Sequence, residues 1–198
     1  MAANTYLTPE ERTLLESVRV GIAGAGGLGS NCAMHLVRSG VKHITFADFD
    51  VVNESNLNRQ FFFRDQLGQK KVVALKDNLL RIEPDADIRA VDIRLDASSA
   101  REVFADCGIV VEAFDAVDAK VMLVSAFASS GKKLVTASGL AGWGRSNAMK
   151  VRKMGNIVAI GDGETSVGDG AAPVSPRVGI AAAMQANSVV AMLLEKEL

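Results

Sequence analysis

Cysteine and histidine are scarce in this chain of 198 residues, with two of each. Cys32 and Cys107 lie within or beside apolar predicted segments and form no C-x-x-C pair, which argues for plain buried thiols and against a structural zinc site or a redox dithiol. His35 and His43 are isolated, one in a predicted helix and one opening a strand, and read as structural side chains. An excess of one charge is also lacking. A formal net charge of −1 with no Lys/Arg block gives little electrostatic support to a sequence-independent grip on nucleic acid, so any anion site must be local. No apolar run is long enough to cross a bilayer, and MAANTYLTPEER lacks a basic-then-apolar leader, so the expectation is a cytoplasmic protein with no membrane contact.

What is present is ordinary for a folded domain: 48% hydrophobic and 23% charged residues, in a length that suits one domain spanning 1–198. TPEERTLLE at 8–16 predicts a short helix, with Thr8 as N-cap, Pro9 at the first helical position and Glu11 completing a capping box. RVGIAG is a short apolar strand. A helix follows from Gly27 to Ser39, its apolar positions Leu28, Cys32, Leu36 and Val37 at helical spacing, and Gly40 closes it. KHITFADFD reads as a strand, Lys71 to Ile82 as a helix stopped by Pro84, and IRAVDIR as an alternating strand. CGIVVEAF is a continuous apolar run suited to a strand covered on both faces, Asp115 to Ser130 is helical, and KKLVTASG is the next strand.

This alternation predicts an α/β fold of the Rossmann kind, a doubly wound and mainly parallel sheet. NAMKVRKMG and NIVAIGD predict an antiparallel hairpin turning at Gly155-Asn156, a C-terminal extension to that sheet. GDGETSVGDGAA at 161–172 is expected to be a mobile loop, and about Arg177 to Glu195 a deeply packed helix.

Gly24, Gly26 and Gly29 form G-x-G-x-x-G between a predicted strand and helix, where backbone can approach phosphate at a helix N-terminus; a turn needed only for tight packing is the alternative. Asp48 ends the second strand, where a carboxylate can bond both hydroxyls of a ribose. These features suit NAD or an adenine nucleotide equally. In DFDVVNESNLNRQFF, Asn56, Asn58, Arg59 and Gln60 crowd a segment expected at the C-terminal edge of the sheet; a guanidinium with amides suits polyphosphate oxygens better than a nicotinamide slot, and a solvated loop is the plain alternative. Lys70 and Lys71 sit at the positive end of a predicted helix, a conflict that a bound anion would resolve. Asp115, with Asp118, is read as an N-terminal cap of its helix, and a carboxylate beside polyphosphate also suits magnesium.

Together these residues resemble the superfamily of ThiF, MoeB and the ubiquitin-activating enzymes. GAGGLGS at 24–30, including Gly27, is similar to its glycine loop, DFDVV and SNLNRQ within 48–60 to its signature, and GQKK at 68–71 to its G-x-P-K with Lys70 replacing proline. Asp115 matches its magnesium-associated aspartate, and APVSPRVGIAAAMQA its final helix. The resemblance implies an ATP-dependent adenylyltransferase: Asp48 on the ribose, Gly24, Gly26, Gly27, Gly29, Asn56 and Gln60 lining the nucleotide, Arg59 and Lys71 on phosphate charge, and Asp115 on Mg2+. It implies as partner a small ubiquitin-fold sulfur carrier protein with a Gly-Gly C-terminus, ThiS-like, in thiamine or related sulfur transfer, and a homodimer in which Arg12 is the candidate for a crossing arginine. No cysteine follows Cys107 and no paired C-x-x-C exists, so neither a covalent thiol step nor zinc is expected. Ala116 stands where relatives often have asparagine. A non-catalytic nucleotide-binding or scaffold relative and an NAD(P)-dependent oxidoreductase are the competing readings.

Overall fold

Thr8 begins the regular structure as its capping box predicts: its hydroxyl accepts from Glu11 N at 3.2 Å while its own N–H donates to Glu11 Oε2 at 3.0 Å. The structure is a computed structural model that describes residues 6–166 and 170–198. After helix α1 (Pro9–Ser17), strand β1 (Val20–Ala23) enters the centre of a seven-stranded sheet. On one side lie β2 (His43–Asp48) and then β3 (Asp87–Asp92). On the other lie β4 (Ile109–Glu112), β5 (Lys133–Ala137), β7 (Ile157–Gly161) and, at the edge, β6 (Lys150–Met154). All neighbours are parallel except β6, which pairs antiparallel with β7 around Gly155, a glycine at φ 61°. The predicted doubly wound sheet and its antiparallel extension are therefore present.

Central position explains the composition of the strands. Val20, Gly21, Ile22 and Ala23 are buried on both faces, and Val20 pairs with Ile44 on one side and Ile109 on the other. Helices α2 (Gly27–Ser39), α3 (Lys71–Ile82) and α6 (Ser175–Leu193) cover one face, bringing Leu28, Leu36, Leu75, Val178 and Val189 onto Ile44 and Phe46. Helices α4 (Ala97–Val103) and α5 (Val117–Phe127) cover the other, where Phe104, Leu123 and Phe127 meet Val110 and Leu134. Each fully buried Leu or Phe contributes about 2 kcal/mol of transfer free energy, so both layers are needed to offset chain entropy. Gly40 at φ 103° ends α2 as predicted, its N–H reaching Leu36 O and Val37 O.

Three expectations need correction, and one element was absent from them. Helix α4 was not foreseen: at seven residues it shows no helical period, and its signal is local, Asp96 accepting from Ser98 N and Ser99 N. Helix α5 is capped by Ala116 without a side-chain bond, so Asp115 and Asp118 make no N-cap. Helix α6 starts at Ser175, with Pro176 in its first turn, ahead of the expected Arg177. The segment read as a mobile loop at 161–172 is anchored at its start. Gly161 still belongs to β7, and the buried Asp162 carboxylate accepts from Glu164 N at 2.8 Å and Thr165 N at 2.9 Å. Residues 167–169 of that loop lie outside the described residues.

Candidate active site

The chain runs outward from β1 to β2 and β3, then crosses back to β4, so the order reverses between β1 and β4. Crevices outside the carboxyl ends of strands at such a reversal are where open α/β sheets bind ligands. The glycine loop occupies this point. Gly24 is at φ 104°, and a Cβ there would lie 2.9 Å from Ala113 O of the turn after β4. A Cβ on Gly29 would lie 1.8 Å from Gly24 O, so only glycine lets α2 pack this tightly on the loop. Gly26 caps α2 with no side chain, leaving the first N–H groups of the helix directed outward at the positive end of its dipole.

Asp48 links the loop to β2. Its Oδ2 accepts from Ala25 N at 2.7 Å and its Oδ1 from Asp50 N at 2.8 Å. A carboxylate has about four lone-pair sites, so two acceptor positions remain for diol hydroxyls. The polar segment after β2 folds back onto α2 through 3-10 turns at Glu54–Asn56 and Arg64–Gln66. Asn31 Nδ2 donates to Arg59 O at 2.9 Å, and Ser30 Oγ accepts from Phe61 N at 3.0 Å. These bonds lay the Arg59 stem beside Gly27, where a Cβ would meet Arg59 Cγ at 3.5 Å. The Arg59 guanidinium donates to Ser55 O at 3.1 Å and Asn58 Oδ1 at 2.8 Å, which fixes its direction while leaving donors for another acceptor.

Gln60 is the side chain nearest Gly26, and its buried Oε1 has no hydrogen-bond partner among the described residues. A buried polar atom without a partner beside a glycine loop is what an incoming donor satisfies. Asn56 is used locally: its Oδ1 accepts from Asn53 N at 3.1 Å within the turn. The lysines at the start of α3 are compensated inside the chain. Buried Lys71 Nζ donates to Asp50 Oδ2 at 2.8 Å, and Lys70 Nζ pairs with Asp92 at 3.2 Å, so the dipole conflict does not require a bound anion.

Asp115 stands exposed on the turn after β4. Its neighbour Phe114 lies 3.5 Å from the Gly24 Cβ position, so this turn abuts the glycine loop. Sequence reasoning missed what holds that turn. Glu112, fully buried, accepts from Phe114 N at 2.7 Å, Thr136 Oγ1 at 2.5 Å and Lys120 Nζ at 3.0 and 3.1 Å. Lys120 also donates to Ala137 O at 3.0 Å, tying α5 to the end of β5. The signal was an acid inside the apolar run CGIVVEAF. The Asp162–Arg177 ion pair, buried at both ends, was missed too.

The arrangement suits a nucleotide lying across the sheet edge: hydroxyls at Asp48, phosphates over the α2 N-terminus beside Arg59, and a carboxylate at Asp115 on the far side. Among the described residues no group of three or more His, Cys, Asp or Glu could hold a metal alone, so Mg2+ here would take Asp115 and phosphate oxygens together, its usual pattern. Thiol chemistry is disfavoured. Burial pushes Cys32 up to about 12 and Cys107 up to about 11, keeping both protonated. A groove of about 750 Å3 between the β6–β7 hairpin and the end of α6 is lined by Lys133, Val151, Lys153 and Met192 at the opposite sheet edge, away from all of these groups.

A molybdopterin-synthase adenylyltransferase of Salmonella typhimurium is 36% identical over 115 residues, 58% of this chain and 46% of that protein. The SAMP-activating enzyme E1 of Haloferax volcanii is 35% identical over 116 residues, 58% of this chain and 43% of that one. The chain thus spans less than half the length of these curated relatives. Among solved structures, E. coli tRNA N6-threonylcarbamoyladenosine dehydratase, TcdA, in complex with AMP shares the fold with a TM-score of 0.86 at 19% identity, over 94% of this chain and 90% of that one. The ThiF family model matches residues 3–198, and the chain belongs to the ThiF family.

Proposed function

We propose that residues 1–198 form a single adenylating domain that joins the C-terminal carboxylate of a small ubiquitin-fold sulfur carrier, ending in Gly-Gly, to the AMP moiety of ATP, releasing pyrophosphate. The observation that carries this reading is the Asp48 carboxylate bonded to the glycine loop at Ala25 N, with Arg59 laid beside Gly27. A hydride-transfer enzyme would use the first feature and leave Arg59 without a task. The names of the curated relatives support an adenylyltransferase and a small protein substrate. They spread over more than one pathway; a ThiS-like carrier in thiamine or related sulfur transfer is the finer proposal, acting in the cytoplasm. Among the described residues no helix is long and apolar enough to cross a membrane.

In this reading the carrier carboxylate attacks the α-phosphorus, the bond to the bridging oxygen breaks, and pyrophosphate leaves. A carboxylate is ionised at neutral pH, so no general base is needed, and the rate comes from positioning and charge neutralisation. Asp48 fixes the ribose, and Gly24, Gly26, Gly27 and Gly29 admit the phosphates to the α2 N-terminus. Gln60 and Asn56 border the nucleotide, Arg59 takes charge developing on phosphate oxygens, and Lys71 is drawn from Asp50 towards them. Mg2+ bound through Asp115 would offset charge on the departing pyrophosphate. A homodimer, with Arg12 as its candidate crossing residue, is the proposed assembly; light scattering showing only monomer at micromolar concentration would refute it.

Arg59→Ala is the direct test. It removes the guanidinium beside Gly27 without touching the carrier, and carrier-dependent pyrophosphate release should fall by about 100-fold or more. Unchanged release would remove Arg59 from the mechanism. Calorimetric titration separates the oxidoreductase reading: Mg-ATP should bind, and tight NAD binding without ATP binding would reverse the assignment.

A further inference from the structure

The loop that leaves β5, residues 138–149, carries the single tryptophan of the chain, and Trp143 is 75% exposed. Exposure alone carries no argument, because single apolar side chains are common on protein surfaces. The bracing beneath this one does. Gly142 at φ 80°, Gly144 at φ 63° and Arg145 at φ 48° surround Trp143 with left-handed backbone, a conformation uncommon for a residue such as arginine. Gly142 N donates to Ala172 O at 2.9 Å, and Arg177 Nη1 donates to Gly144 O at 2.6 Å. The same guanidinium pairs with Asp162, both side chains at 2% exposure or less. Arg145 in turn reaches Glu164 Oε2 at 3.0 Å.

A buried ion pair is costly to desolvate and is weak evidence for added stability. Here it joins three separate pieces, the β5 loop, the segment after β7 and the first turn of α6, so its product is the fixed position of the tip that bears Trp143. The loop leaves the carboxyl end of β5, which runs parallel to β4 and β1, so it stands at the same sheet edge as the glycine loop. Val178, next to Arg177, lies 3.0 Å from the Cβ position of Gly27. The nucleotide takes the β2 side of the crevice, through Asp48, so a polypeptide end has the β5–β7 side from which to reach the α2 N-terminus.

We propose that Trp143 is the docking contact for the C-terminal tail of the carrier, with Arg177 and Asp162 as positioning residues that hold it. The inference rests on the adenylation reading and deepens it. A tail of two glycines has no Cβ atoms, so its peptide planes can lie flat against an indole at van der Waals distance, whereas a larger side chain would be pushed off. The tryptophan thereby selects tail shape at a point separate from the phosphate-binding groups.

Because Trp143 is the only tryptophan, its fluorescence reports the contact directly in the intact chain. A tryptophan-free ubiquitin-fold carrier ending in Gly-Gly should shield Trp143 from acrylamide, while Mg-ATP alone, or the same carrier lacking its last two residues, should not. Trp143→Ala should raise KM for the carrier about 10-fold or more, with kcat and the KM for ATP near wild type, and Trp143→Phe should restore most of the loss. Arg177→Lys, which keeps the buried charge but not the two-pronged geometry, should raise the carrier KM and leave the KM for ATP unmoved. Unchanged quenching at carrier concentrations that saturate pyrophosphate release, or a wild-type carrier KM in Trp143→Ala, would overturn the inference. So would shielding that grows with the concentration of the chain itself without carrier, which would place Trp143 against a second copy. Absence of carrier-dependent pyrophosphate release from the wild type is the distinct result that removes the adenylation reading beneath it.

Discussion

On the β1–β2 side of the crevice the backbone itself holds the site: Gly24 and Gly29 are in van der Waals limits no other residue meets, and Asp48 is gripped by Ala25 N and Asp50 N. On the β4–β7 side the turns are held by side chains instead, through two ion pairs, Glu112–Lys120, buried at its acid, and Asp162–Arg177, buried at both ends. The first arrangement is tolerant of its surroundings and intolerant of substitution. The second depends on partners far away in the chain. The half proposed for the nucleotide is therefore fixed by sterics, and the half proposed for the carrier by electrostatics, which predicts different responses to mutation and to pH.

The largest effect should come from the steric half. Gly29→Ala forces a methyl group onto Gly24 O, so the loop and α2 cannot both keep their places, and a loss of about 4 kcal/mol is expected. Denaturant midpoints measure it, and ATP binding should be lost in any folded fraction. Next comes the electrostatic half. Arg177→Ala leaves Asp162 charged and buried, at a cost of about 3 kcal/mol, whereas Asp162→Leu with Arg177→Met should recover only part of that, because Glu164 N and Thr165 N lose their acceptor, while losing the fixed β5 loop. If the double variant binds carrier normally, the ion pair has no positioning role. Glu112→Gln should cost about 2 kcal/mol, less because Lys120 is partly exposed and can turn its charge to water. Its expected signature is weaker metal-dependent stimulation, read as a raised Mg2+ requirement, because the turn bearing Asp115 loosens.

Acid should weaken the second half. Burial raises the Asp162 carboxyl, but the N–H groups of Thr165 and Glu164, the Thr165 hydroxyl and Arg177 outweigh it and hold it below the usual carboxylate range. Its folded value lies under the unfolded value of about 3.9, so its stabilisation is present above that pH and is lost as pH falls through the folded value. Asp162→Asn should flatten the acid limb of an unfolding-versus-pH curve. The smallest effect belongs to Asp87, at the opposite sheet edge, lowered by hydrogen bonds from His43 and Arg19. Solvent screens that exposed pair, and Asp87→Asn should move the same curve little.

This division also separates what is legible in the sequence from what is not. Gly24, Gly26, Gly29 and Asp48 lie within one strand-turn-helix unit, so their spacing alone exposed the fold and the tight loop that the structure shows, with Asp48 bonded to Ala25 N. The segment from Asn56 to Gln60 stood out as a polar cluster, and the structure lays it against α2, with Asn56 Oδ1 engaged by its own turn. Glu112 and Lys120 were not legible, because their pairing needs β4 beside β5 and α5 laid across both. Asp162 and Arg177 meet only after β7 has been placed and α6 folded back over the sheet. Helix α4 escaped because a seven-residue helix with one buried side chain shows no period. Long-range electrostatics was hidden where local sterics was plain.

The measurement that tests the central claim most directly is exchange of labelled pyrophosphate into ATP, catalysed by the purified chain with Mg2+ and a ubiquitin-fold carrier ending in Gly-Gly. Formation of a reversible acyl-adenylate predicts exchange that requires the carrier carboxylate, disappears when the carrier ends in an amide, and falls about 100-fold in Arg59→Ala. Exchange that proceeds without carrier, or none with the natural Gly-Gly partner captured from the source cell, would contradict it.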